Sequence, residues 1–84
     1  VPEPSEIFVP AAAALPVIEA RLAAGWHLLA VSGFRVKRGD TTPDPALGRD
    51  FGPDGTTDAV EVGSVLAAWP AGSDVFAEIR FVAR

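Results

Sequence analysis

Between Ala11 and Lys37 the spacing of apolar positions switches from helical to strand-like. Leu15, Ile18 and Leu22 recur at intervals of three and four, the single stripe of an amphipathic helix, with Glu19 and Arg21 off the stripe and expected in water. Pro16 complicates the start of this helix. A proline in a helix interior removes a hydrogen bond and crowds the preceding turn, at about 3 kcal/mol, but is comfortable in the first turn. The pattern therefore predicts a helix beginning at Leu15 or Pro16 after a lead-in turn at Ala11–Ala14; a kinked helix from Ala11 is the alternative. Gly25 follows as a natural C-terminal stop.

From Trp26 to Lys37 the period becomes two. Trp26, Leu28, Ala30, Phe34 and Val36 share one parity, and His27, Leu29, Val31 and Arg35 the other. Both faces are partly apolar, which predicts a central strand with cover on each side, or a strand facing a partner, with Gly33 marking a bulge or a close backbone approach. Glu6–Val9 is a short strand closed by Pro10. Ala59–Trp69 and Asp74–Arg84 read as two strands joined by "PAGS", a hairpin spacing. In the last strand Val75, Ala77, Ile79 and Phe81 form the expected core face, while Phe76, Glu78, Arg80 and Val82 point outward. Residues 38–58, rich in glycine, proline and aspartate, predict a long loop, pinned to the body by Leu47 and Phe51.

These elements give an α+β domain in the order β-α-β-long loop-β-β: a small antiparallel sheet of three to four strands with one helix on a face. The length of 84 residues fits one domain, residues 1–84. The stretch "IEARLAAGWHLLAVSG" resembles the hallmark of the DUF4177-like domains, a family of unknown function. Their pattern is an amphipathic helix running into Gly-Trp-Glu-Leu-Val and a strand. Gly25, Trp26 and Leu28 match it and Leu29 is similar in kind, whereas His27 stands where the family usually has glutamate. The resemblance covers about a fifth of the chain. It implies a short strand, one helix and further antiparallel strands, and no activity.

Composition narrows the function. A net charge of −4 disfavours direct nucleic-acid binding, and Arg35, Lys37 and Arg38 form only a short basic cluster. Without cysteine there is no disulfide framework, thiol nucleophile or thiolate metal site. No stretch approaches the roughly 20 apolar residues of a membrane helix, and "VPEPSEIFVP" lacks a signal peptide's basic start and apolar run. The expected setting is the cytoplasm of a bacterium or phage-infected cell, or a virion.

Candidate chemistry is sparse. His27 is the single histidine, so a metal site or catalytic pair built on it would need carboxylates, or Ser32, Ser64 or Ser73, and there is no nucleophile elbow. "DFGPDGTTD" contains a kinase-like tripeptide without the rest of that signature. Asp50, Asp54 and Asp58 lack the oxygen spacing of a calcium loop. No glycine-rich phosphate cradle occurs. No catalytic residue, cofactor or metal is therefore assigned.

The reading that remains is a non-enzymatic interaction or assembly module, such as a phage structural or accessory protein, engaging a protein partner or copies of itself. The expected contact residues are Asp40, Asp44, Asp50, Phe51, Asp54 and Asp58 of the loop, with Trp69, Phe76 and Arg80. Two alternatives are an acidic inhibitor presenting the aspartates to a basic surface, and an oligomeric ligand-binding domain or enzyme.

Overall fold

The computed structural model describes residues 5–70 and 72–83. Six elements follow one another: β1 (Ser5–Pro10), α1 (Ala11–Ala23), β2 (Trp26–Lys37), β3 (Asp40–Asp50), α2 (Ala59–Ala67) and β4 (Val75–Ala83). The strands form one antiparallel sheet in the order β1-β4-β2-β3, so the C-terminal strand is central. The α+β class is as expected. The expected end of the last strand at Arg84, and Ala71 within "PAGS", lie outside the described residues.

The core lies between the two helices and one face of the sheet. Val75, Ala77, Ile79 and Phe81 of β4 are buried on that face, as their parity predicts. Ile18 and Ala14 of α1, Val62 of α2, and Leu28 and Val31 of β2 close over them. Leu15 and Leu22 pack against this cluster, so the helical stripe holds. Fully burying side chains of this size contributes roughly 1.5–3 kcal/mol each relative to exposure. Gly25 ends α1 with φ +95°, where an added Cβ would meet nothing, so backbone conformation alone selects glycine. Trp26 and Leu28, two of the residues that carry the family resemblance, face the core. Arg21 is half-buried rather than wet, its guanidinium 5.1 Å from the Trp26 ring centroid.

Four expectations are corrected. First, α1 begins at Ala11, with Pro16 inside it. The hydrogen bond that Pro16 cannot donate would run to the Ala12 carbonyl, and both residues are exposed, so water can serve that oxygen.

Second, Ala59–Ala67 is helix, not strand. Asp58 caps it: its carboxylate accepts the backbone N–H of Val60 at 3.0 Å and of Glu61 at 3.2 Å. Val62, Val65, Leu66 and Trp69 then face the core at helical spacing. This cap and stripe outweigh the β-preference of the valines.

Third, most of the expected 38–58 loop is β3. It follows β2 through Arg38-Gly39, both with positive φ, a two-residue hairpin turn of the primed type. As an edge strand it tolerates Pro43 and Pro45, which have no N–H to give. Its pairing jumps from Ser32↔Gly48 to Gly33↔Asp44, leaving Pro45, Ala46 and Leu47 as a bulge. Leu47 dips onto Gly33 there: a Cβ built on Gly33 would stand 2.3 Å from Leu47 Cβ. The close approach expected at Gly33 and the anchoring by Leu47 are both present. Phe51 also packs against the core.

Fourth, the parity of β2 breaks. Leu28 pairs with Phe81 and Ala30 with Arg80, so Leu29 is an extra residue. The segment after β3 fills the irregularity. Leu28 and Thr56 exchange both backbone hydrogen bonds, at 2.9 and 2.8 Å, and the Phe51 N–H donates to the Leu29 carbonyl. Beyond Leu29 every side chain lies on the opposite face from the one that simple alternation assigns.

Candidate functional site: the open face of the sheet

Both helices lie on one side, and among the described residues no element covers the other. The strand register places the side chains of this open face in rows across the sheet. One row reads Pro10, Phe76, Phe34, Pro43 from β1 to β3. The next reads Phe8, Glu78, Ser32, Gly48, and the third Glu6, Arg80, Ala30, Asp50. Val82 and His27 lie beyond.

The first row is an apolar band spanning all four strands. Phe8 joins it from the neighbouring row, stacked on Phe76 with ring centroids 5.3 Å apart and meeting Phe34 edge-on at 5.7 Å. Both are favourable aromatic geometries. Phe34 and Phe76 are half-buried by this contact, whereas Phe8 remains 49% exposed. The third row is charged. Arg80, 54% exposed, reaches Glu6 at 3.4 Å and Glu78 at 3.5 Å. Toward β3 the side chains are small, and Ala30, Ser32 and Gly48 leave a shallow trough beside Arg80 and Asp50.

Phe76, Arg80 and Asp50, named from sequence, fall on this face together. Phe8 and Phe34 complete the band and escape sequence reasoning, for different reasons. Simple alternation assigns Phe34 to the face of Trp26 and Leu28, because the bulge at Leu29 leaves no local mark. Phe8 sits in "EIFV", where the apolar run hides the alternation; only pairing with β4 puts it beside Phe76.

The remaining candidates are placed elsewhere or held locally. Trp69 packs against the core at the end of α2. Arg35 lies between two carboxylates, Asp44 and Asp74, each at 3.4 Å, and Asp44 also accepts the Ala46 N–H. Asp50 accepts the Gly52 N–H at 2.7 Å and Asp58 caps α2, the local use to which turn aspartates are suited. Asp40 is exposed at the start of β3, paired across the hairpin with Lys37. Phe51 is half-buried, with the Arg49 guanidinium 5.6 Å from its ring.

His27 is half-buried on the open face, its Nδ1 2.9 Å from the Asp54 carbonyl oxygen. A carbonyl only accepts, so Nδ1 carries the proton in this contact. Ser32 shares the face but lies two rows away, about 13 Å at 3.3 Å per residue, which is no nucleophile–base distance. Among the described residues no three His, Cys, Asp or Glu side chains converge as metal ligands, and no helix is long and apolar enough to cross a membrane. No family model, curated protein or solved structure matches the chain.

Proposed function

We propose that this chain is a non-enzymatic interaction module that joins a protein assembly through the open face of its sheet. The observation that carries the reading is the apolar band of Pro10, Phe76, Phe34 and Pro43 with Phe8 stacked on it. One face of an antiparallel sheet is commonly solvated, but it is then lined by polar residues. Here three phenylalanines meet on it, on strands whose other side already fills the core. Roughly 200 Å² of ring surface remains to be covered, about 5 kcal/mol gross at 25 cal/mol per Å². Association costs are of similar size, so the band needs the polar rows beside it to make a stable contact. The loop aspartates support the inhibitor alternative less well, because Asp44, Asp50 and Asp58 already accept local backbone N–H groups. The resemblance to DUF4177-like domains is kept in this reading as a fold relationship.

The test is the native mass of the full chain in cell lysate. Wild type should migrate above its single-chain mass of 8.7 kDa. Phe8→Ser should shift it downward with an unchanged circular dichroism spectrum. Val60→Ser is the control, since Val60 is the other large exposed apolar side chain among the described residues, at 79%, and belongs to α2. Wild type running as a single chain, or Phe8→Ser leaving the assembly intact, refutes the proposal.

A further inference from the structure

Resting on that reading, we infer that the occupant of the open face is a second copy of this chain, packed face to face about a two-fold axis that crosses the strands between Arg80 and Glu78. In a two-fold interface each contact occurs twice, so the face must complement itself. An axis at this level lays the Arg80 row of one copy over the Glu78 row of its partner. Arg80 then meets the partner's Glu78, and Glu78 the partner's Arg80. Because Arg80 already reaches Glu78 within its own chain at 3.5 Å, the four charges form a ring of alternating sign.

Along β1 Glu6 comes over the partner's Phe8, and the other three strands of the grid agree with this placement. Ala30 comes over Ser32, small on small, and Asp50 over Gly48, so no two like charges are opposed. On either side of the axis Phe76 covers Val82 and Phe34 covers His27. A two-fold axis running along the strands does worse: placed between β4 and β2, it sets Glu6 against Asp50. The strands of the two sheets run nearly aligned in the chosen arrangement, the usual geometry when sheets pack.

The area suits a weak dimer. With the axis between Arg80 and Glu78, the four rows face one another, and at strand spacings of about 4.8 Å and level spacings of about 6.7 Å the positions that meet cover roughly 400 Å² per copy. Two copies therefore bury about 800 Å², in the range of a weak, reversible contact rather than of a permanent dimer. The dimer should accordingly be concentration-dependent, with the charged ring fixing register rather than supplying most of the affinity.

Sedimentation equilibrium on the purified full chain, run across a concentration series, tests the inference. Wild type should reach twice 8.7 kDa. Arg80→Glu and Glu78→Arg should each weaken self-association by about tenfold or more, since each opposes like charges at two contacts. An equimolar mixture of the two variants should form a heterodimer, and the doubly substituted chain should again form a homodimer. Those recoveries separate lost pairing from lost folding. A dimer indifferent to both reversals, or a mixture that stays monomeric, overturns the arrangement. A purified chain that stays monomeric while the lysate assembly persists, sensitive to Phe8→Ser, overturns the second copy and leaves the interaction reading standing. A monomer in both settings removes both.

Discussion

Replacing Gly33 by alanine adds one methyl group where the structure has least room for it. The new Cβ would stand 2.3 Å from Leu47 Cβ, 2.9 Å from the Leu47 carbonyl oxygen and 3.0 Å from Leu47 Cδ1. Carbon atoms in good contact lie about 3.5–4.0 Å apart, so something must move by more than 1 Å. Two of the three obstructing atoms are a Cβ and a backbone oxygen, which no rotamer change displaces, so the β3 bulge itself must lift. Overpacking typically costs 1–3 kcal/mol, and this geometry places Gly33→Ala at the upper end, about 3 kcal/mol. A domain of this size has a total stability of roughly 4–12 kcal/mol at 0.05–0.15 kcal/mol per residue. The melting temperature should therefore fall by about 12–24 °C, at 4–8 °C per kcal/mol.

The assay is urea unfolding followed by fluorescence of Trp26 and Trp69, at one low protein concentration so that self-association does not enter. Leu47→Gly alone should also destabilise, because Leu47 is buried at 8% exposure. It removes the Cβ and Cδ1 that the added methyl group would strike, so the double variant should be more stable than the sum of the single effects by at least about 1 kcal/mol. Leu47→Ala keeps its Cβ and should show little of that coupling. Gly33→Ala within about 0.5 kcal/mol of wild type, or strict additivity with Leu47→Gly, would refute the reasoning.

Arg38 occupies the left-handed region at φ +53° in the β2–β3 turn. Arg38→Asn, giving the Asn-Gly pair that such turns prefer, should stabilise by about 0.5–1 kcal/mol in the same urea assay. Asp58→Ala removes the carboxylate that accepts two N–H groups of α2 and should cost about 1 kcal/mol, with Asp58→Asn much milder; an unchanged denaturation midpoint for the alanine would argue against the cap. Arg35→Ala should cost about 1 kcal/mol or less, because its pairs with Asp44 and Asp74 are partly solvated, and the difference from wild type should shrink as salt rises from 0.05 to about 0.5 M.

How much of this is legible in the sequence depends on whether the deciding contact is local. The stripe of α1, the stop at Gly25 and the core parity of β4 are set by near neighbours, and all are present. The second helix is legible too: Asp58 with Glu61 three residues on is the start signal of a capped helix, but the valines of "AVEV" imitate a strand. β3 is hidden because proline and aspartate are poor strand formers, and only its place at the sheet edge makes them acceptable. Pro16 misleads in the same way, since solvent at Ala12 is what makes it tolerable within α1.

The open face is the hardest feature to see, and the reason is physical. Nothing at Leu29 announces an extra residue: it is not glycine, and its neighbours are ordinary strand formers. The irregularity is held instead by groups more than twenty residues away, the Phe51 N–H on the Leu29 carbonyl and the double exchange between Leu28 and Thr56. Without those bonds, plain alternation keeps Phe34 on the side of Trp26 and Leu28, and the open face lacks the ring that Phe8 and Phe76 meet. With them, one strand supplies Leu28 and Val31 to the core and Phe34 to the surface. The segment that reads as a featureless loop is thus what sorts the aromatic residues, and Gly55 shows how closely it is fitted: a Cβ there would lie 2.6 Å from the Leu28 carbonyl oxygen. Substitutions in residues 51–56 should therefore disturb the proposed association mainly by moving Phe34, beyond any effect of Gly52 and Pro53 on the trough that they line.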